Sequence, residues 1–185
     1  MSIKLKSSDG QVFDAKEDGC KKSNFLKKLI EGGKTEILLE QIKGEVLEKV
    51  VEYLNYYSDK DFPALPEILK TNVLNSEINE WDFSFIDPIS YENTFHLINA
   101  GAQLELDHLY NVACLKIAAF MKGKSPEEVN EEFTIECQLT PEQAKSLGLA
   151  CSGVSWHSIV NSSFTSSGDF PFIKAAIFKQ ATLYK

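Results

Sequence analysis

The chain opens with a period of two and then turns helical, and this order of periods most restricts what it can fold into. Ile3-Lys4-Leu5-Lys6 alternates apolar and basic residues, Ser7-Ser8-Asp9-Gly10 supplies turn chemistry, and Gln11-Val12-Phe13-Asp14-Ala15 alternates again. Together they predict a β-hairpin. After the break at Gly19, Ser23 can cap a helix over residues 23–30 whose apolar face is Phe25, Leu26, Leu29 and Ile30, and Gly32-Gly33 ends it. A short strand-like run follows at Glu36–Leu39. Val46, Leu47, Val50, Val51 and Leu54 then recur at i, i+3, i+4 spacing, which predicts a buried helix over residues 45–57.

Over residues 58–80 the periodicity is lost among Pro63, Pro66 and scattered acids, as expected for a mobile loop carrying little order. Helical spacing returns over residues 91–103 and again over residues 106–121, through Leu106, Leu109, Tyr110, Ala113, Ile117 and Met121, which reads as an antiparallel helix pair. Gly123 ends the pair. Ser125-Pro126-Glu127-Glu128 and Thr140-Pro141-Glu142-Gln143 each combine a capping hydroxyl, a Pro at the first helical position and a capping-box residue, so two further helices are expected, to about Phe133 and Ala150. The resulting order places a small α+β domain ahead of a helical extension. Residues 151–185 change character, with a Ser-rich stretch ahead of Phe170-Pro171-Phe172-Ile173.

Composition narrows the function classes. The chain has 185 residues and no apolar run long enough to span a bilayer, and its start lacks the apolar stretch of a secretory signal, so a soluble protein of the cytoplasm and nucleus is expected, with no membrane partner. Cys20, Cys114, Cys137 and Cys151 are far apart and read as free thiols. A net charge of −8 opposes nucleic-acid binding. Residues 59–138 hold five Lys against fifteen acids, which favours a basic partner, and the absence of any Arg removes the planar fork used to clamp phosphate. His96, His108 and His157 lie at no metal-ligand or triad spacing, and Cys151 with His157 is the nearest approach to a nucleophile pair. No enzyme, metal or cofactor is therefore expected.

Particular residues carry a resemblance. Ile3-Lys4-Leu5-Lys6-Ser7-Ser8-Asp9-Gly10 resembles the opening of the Skp family, and Trp81-Asp82 after an acidic loop resembles its Trp-Asp landmark. Met121-Lys122-Gly123-Lys124-Ser125-Pro126-Glu127-Glu128-Val129, leading to Phe133-Thr134-Ile135, is similar to the family's Lys-Gly-Lys-Thr-Pro-Glu-Glu-Ile segment and the Phe-Asn-Ile after it. The likeness runs collinearly over residues 2–143. It implies a BTB/POZ-like domain followed by a C-terminal helical extension, acting as an adaptor between a cullin and an F-box protein. On that basis the chain divides into residues 1–58 and 81–121 as the BTB/POZ part, 59–80 as the acidic loop, 122–150 as the dimerisation and F-box-binding helices, and 151–185 as a divergent tail. Elongin C shares the opening but lacks the extension.

The resemblance also implies sites. Val129, Phe133 and Ile135 would present an apolar patch to the F-box, with Cys114 and Ile117 below it; packing of the extension onto the BTB core is the competing role. Where the family reads Ala-Ala-Asn-Tyr-Leu-Asp, with Asn-Tyr touching the cullin, this chain has Ala100-Gly101-Ala102-Gln103-Leu104-Glu105, so the cullin contact falls on Ala102 and Gln103, both changed. Pro141 stands where some unicellular members carry a hydroxylated and glycosylated Pro, which makes it a candidate for modification beside its plainer role as a helix-starting residue. Nothing after Gln143 matches the family's last helix. That helix ends in an Asn-Gln-Trp-Cys that clamps the F-box, and here the clamp is either rebuilt or absent; the tail reads otherwise as the product of a different final exon or reading frame, or as an amphipathic segment from Phe170 onward that docks on a partner or membrane surface, folds back on its own body or stays disordered. An F-box-free homodimer acting outside the ligase is the alternative function.

Overall fold

A computed structural model of the chain describes residues 2–66 and 69–122. They fall into two units, residues 2–65 with 78–113 and residues 66 and 69–77 with 114–122. The expected helices over residues 125–133 and 140–150, and the tail, lie outside the described residues.

In the first unit the alternating N-terminus forms β1 (Ser2–Ser7) and β2 (Val12–Lys16), antiparallel, with Leu5 opposite Phe13 and Ile3 opposite Ala15. Period-two alternation puts Ile3, Leu5 and Ser7 on the buried face and the lysines on the other. The turn between the strands does more than reverse the chain. Asp9 Oδ1 accepts from the Ser7 hydroxyl at 2.5 Å and from the backbone N–H of Gly44 at 2.8 Å, while Oδ2 accepts from Gln11 Nε2 at 2.8 Å. Gly44 is the first residue of α3 (Gly44–Tyr56), whose N-cap Lys43 supplies no side-chain cap. Asp9 therefore caps that helix from 35 positions away. These hydrogen bonds hold its carboxyl below the usual carboxylate range, the Ser7 hydroxyl foremost.

β3 (Glu36–Leu39) pairs parallel to β1, Leu5 opposite Ile37, giving the order β2-β1-β3. The connection back to the sheet runs through α1 (Glu17–Cys20) and α2 (Asn24–Glu31). Ser23 caps α2 as expected, its hydroxyl oxygen accepting from Leu26 N–H at 3.1 Å, and the same hydroxyl donates to the carbonyl of Leu104. Four further helices follow: α3 at its expected place, the short α4 (Glu80–Ile86), which no helical period announces, α5 (Tyr91–Gln103) and α6 (Asp107–Met121). Leu5, Leu26, Leu47, Val50, Leu54, Ile86, Leu97, Ile98, Leu104 and Leu109 are fully buried, so the core joins the inner face of the sheet to the apolar stripes of α2, α3, α5 and α6.

α5 ends in a motif that normally requires Gly. Leu106 N–H donates to Gly101 O at 2.9 Å and Glu105 N–H to Ala102 O at 3.2 Å, with Glu105 at φ 48°. The left-handed conformation of Glu105 is offset in part by its bond to Lys28 Nζ at 3.0 Å, an exposed pair. Glu105→Gly is expected to raise stability by roughly 0.5 kcal/mol, measured by urea denaturation, because release of the left-handed strain exceeds the loss of a surface ion pair.

Residues 60–79 carry little regular structure among those described, a 3₁₀ turn at Leu74–Ser76 aside. In the second unit Leu69 and Leu74 are nevertheless buried, and Lys122 Nζ donates to the carbonyls of Leu69 at 2.6 Å and Lys70 at 2.7 Å. The first Lys of the Lys-Gly-Lys signature is thus spent on holding chain.

Candidate functional site

Two features of the first unit bear on function: a buried polar hub around Trp81-Asp82, and the corner where α5 ends. α4 is capped by Asn79, whose Oδ1 accepts from Asp82 N–H at 3.0 Å while its Nδ2–H donates to Asp82 Oδ2. This turn drives the Asp82 carboxylate inward, where it is 0% exposed. Tyr57 donates its hydroxyl to Asp82 Oδ1 at 2.9 Å, and the Tyr53 hydroxyl lies 3.2 Å from the same oxygen and 2.5 Å from His108 Nδ1. His108 Nε2 meets Pro63 O at 3.0 Å. Burial raises the Tyr53 and Tyr57 hydroxyls far above the ordinary phenol range, with the Asp82 carboxylate adding to it. Both remain neutral donors at any physiological pH.

Aromatic rings seal the hub. Trp81 stacks on Tyr56 with centroids 3.5 Å apart and planes 2° from parallel, and also stacks against Phe85 at 5.4 Å. Lys60 Nζ caps the pile 3.5 Å from the Tyr56 centroid. The Trp-Asp landmark is therefore a fastener that fixes α4 to α3. The His-Tyr-Asp sequence of contacts resembles a proton relay, but both imidazole nitrogens are engaged within the protein, which leaves none to act as a base on a substrate. Cys20 offers no nucleophile either, since burial pushes its thiol up to about 12. Among the described residues no group of three His, Cys, Asp or Glu side chains could hold a metal ion, and no helix is long and apolar enough to cross a membrane.

The α5 corner carries the residues expected to meet a cullin. Ala102 and Gln103 are half-buried, and Gln103 Nε2 donates to Gln41 Oε1 at 2.8 Å, so the side chain lies against the segment that follows β3. One turn earlier Asn99 shares this face. Its Oδ1 is buried without a hydrogen-bond partner among the described residues. Asn99 was missed in the sequence reading, although the i, i+4 spacing to Gln103 was visible. Cys114 and Ile117, on α6 in the second unit, are 5% and 1% exposed and offer almost no surface in this chain. Val129, Phe133, Ile135 and Pro141 lie outside the described residues.

A three-stranded mixed sheet flanked by helices, with a helical C-terminal part, defines the α+β class, and comparison with known proteins gives it a family. The description "Skp1 family, tetramerisation domain", a POZ domain, matches residues 1–59, and "Skp1 family, dimerisation domain" matches residues 107–147. The chain is 32% identical to the S-phase kinase-associated protein 1 homolog of Tetrahymena thermophila over 143 residues, covering 76% of this chain and 86% of that protein. It is 32% identical to SKP1-like protein 12 of Arabidopsis thaliana over 148 residues, covering 78% and 91%, and 33% identical to SKP1-like protein 4 of the same plant over 151 residues, covering 76% and 88%. The chain belongs to the Skp1 family.

Proposed function

We propose that this chain is the adaptor subunit of a ubiquitin ligase, bridging a cullin scaffold and an F-box protein in the cytoplasm and nucleus, and that it catalyses nothing itself. The observation that carries this reading is the presence in one chain of both Skp1-family parts, the POZ match at residues 1–59 and the dimerisation match at residues 107–147. The α5 corner, with Ala102, Gln103 and Asn99, takes the cullin, while Val129, Phe133 and Ile135 take the apolar side chains of the F-box, with Cys114 and Ile117 supporting them. The excess of acids over residues 59–138 suits a basic partner. Affinity capture of the native protein at low salt is expected to recover an F-box protein and a cullin; recovery of neither defeats the assignment.

A second reading is a homodimeric Skp-like module working outside the ligase. It is favoured by one observation: Gln103, which replaces the family's aromatic contact, is already hydrogen-bonded to Gln41. The two readings separate on a gain of function. Restoring the family pair with Ala102→Asn and Gln103→Tyr is expected to raise affinity for a cullin N-terminal domain about thirtyfold, measured by calorimetry, because an aromatic anchor at an interface contributes on the order of 2 kcal/mol. No change on that substitution favours the second reading. Sedimentation of an F-box-free dimer that persists on adding an F-box peptide does the same.

A further inference from the structure

At the start of α6 three stretches of the first unit leave a cavity of about 460 Å³ between them. One wall is Lys22 and Asn24, either side of the Ser23 cap, and the backbone N–H of Asn24 ties it to the link between α5 and α6 by donating to Glu105 O at 3.3 Å. The second wall is Phe62 and Leu65, with the Phe62 ring stacked on His108 at 4.5 Å. The third is Glu105 with Asp107 and Asn111, and the last two lie at i and i+4 on one face of α6. Small-ligand pockets run from about 300 to 1,000 Å³, so this one has room for a single long side chain.

The charges around this cavity do not balance. Lys22 is paired with Asp61 at 3.4 Å and Glu105 with Lys28 at 3.0 Å, whereas Asp107 is in no ion pair among the described residues. The side-chain amides of Asn24 and Asn111 make no hydrogen bond among the described residues either. One cavity is thus lined by a carboxylate, which only accepts, and by two amides that each offer an acceptor oxygen. Phe62 and Leu65, both half-buried, add apolar surface. A guanidinium on a methylene stem uses all of this: the stem lies along the apolar wall, and five N–H donors in a fixed fork reach several acceptors around the one unpaired negative charge. An ammonium reaches fewer. An anion is disfavoured, because Glu105 and Asp107 repel it and Lys22 already holds Asp61.

We propose that this cavity is a socket for an arginine side chain presented by a partner protein, with Asp107 as the charge that recognises it. Asn24, Glu105, Asp107 and Asn111 are all exposed, so whatever enters keeps one side in water. That suits a side chain whose backbone stays on the partner better than a free metabolite, which a closed pocket would wrap on all sides. The surplus of acids over residues 59–138, fifteen against five Lys, draws a basic partner toward the same part of the chain. Asp107 also favours the positive start of α6, but that role acts on stability and is blind to a cation in solution, so binding is the property that separates the two. The socket does not depend on the cullin assignment and is tested with no cullin present.

The probe is N-acetyl-arginine amide, a capped side chain without a free carboxylate, titrated into the full chain at low salt and followed by nuclear magnetic resonance. The side-chain amides of Asn24 and Asn111 and the backbone amide of Leu65 are expected to shift together and saturate, with a dissociation constant on the order of 10 mM for one exposed side chain, while Lys4 and Lys6 in the sheet stay in place. Asp107→Asn is expected to weaken binding about fivefold, the effect of one exposed charge pair. N-acetyl-citrulline amide, similar in shape but uncharged, is expected to bind more weakly than the arginine probe by a similar factor. Free arginine, whose carboxylate meets Glu105 and Asp107, is expected to bind no more tightly than the capped form. The proposal is overturned if the three amides show no saturable shift, if citrulline binds as well as arginine, if Asp107→Asn binds undiminished, or if free arginine binds more tightly, which would make this a metabolite pocket. The arginine and citrulline titrations of the unaltered chain decide the matter if the variant does not fold.

Discussion

Asp82→Ala is expected to lower the stability of the chain by about 3 kcal/mol or more, seen as a fall in the urea midpoint with an unchanged slope. Asp82 is 0% exposed and accepts from Tyr57 and from Asn79, with Tyr53 in reach. Alanine removes the acceptor and leaves these hydroxyl and amide donors sealed under Trp81, Phe85 and Tyr56, and each buried unsatisfied group costs roughly 1–3 kcal/mol. Asp82→Asn keeps one acceptor oxygen and is expected to lose less. If Asp82→Ala unfolds at the same urea concentration as the parent chain, the hub is not what fixes α4 to α3.

The second large effect is expected at a residue with no side chain. Gly19 lies in α1, a four-residue helix, and a Cβ placed there would stand 2.1 Å from the carbonyl oxygen of Leu54 and 2.7 Å from its carbon. Both atoms are backbone of α3, so no rotamer change can relieve the overlap; α1 must move off α3. Gly19→Ala is therefore expected to destabilise by about 3 kcal/mol, the upper end for overpacking, despite the higher helix propensity of alanine. The measurement is the same urea titration. A neutral or stabilising result would mean that α1 packs farther from α3 than described.

Much of the fold was legible from local pattern. The hairpin, the Ser23 cap, the strand at Glu36–Leu39 and the helices α2, α3, α5 and α6 follow from periods of two and 3.6 and from capping residues, which act within a few positions along the chain. What stayed hidden depends on distant partners or on very short elements. Glu80-Trp81-Asp82-Phe83-Ser84-Phe85 alternates like a strand, yet forms α4, because Asn79 caps it and Asp82 finds hydroxyls at Tyr53 and Tyr57. α1 spans a single turn and shows no period. The parallel pairing of β1 with β3 needs a crossover whose course no local signal states.

The site divides in the same way. Trp81-Asp82 was recognisable as a landmark, but its partners lie 25 and 29 positions away, so its task as a fastener emerges only in three dimensions. Ala102 and Gln103 were assigned through family likeness. The bond from Gln103 to Gln41, 62 positions apart, was not foreseeable from either residue. Asp9 belongs with them: it reads as a turn residue, and its use as the cap of α3 appears only when Gly44 is brought beside it.

On the proposed function, one copy of this chain engages a cullin and an F-box protein at the same time. Light scattering on a size-exclusion column, with the full chain mixed with a purified F-box domain and a cullin N-terminal domain, measures this directly. The expected result is a single peak with the summed mass of one copy of each. Separate elution of all three components, from a chain whose circular dichroism shows it folded, would contradict it.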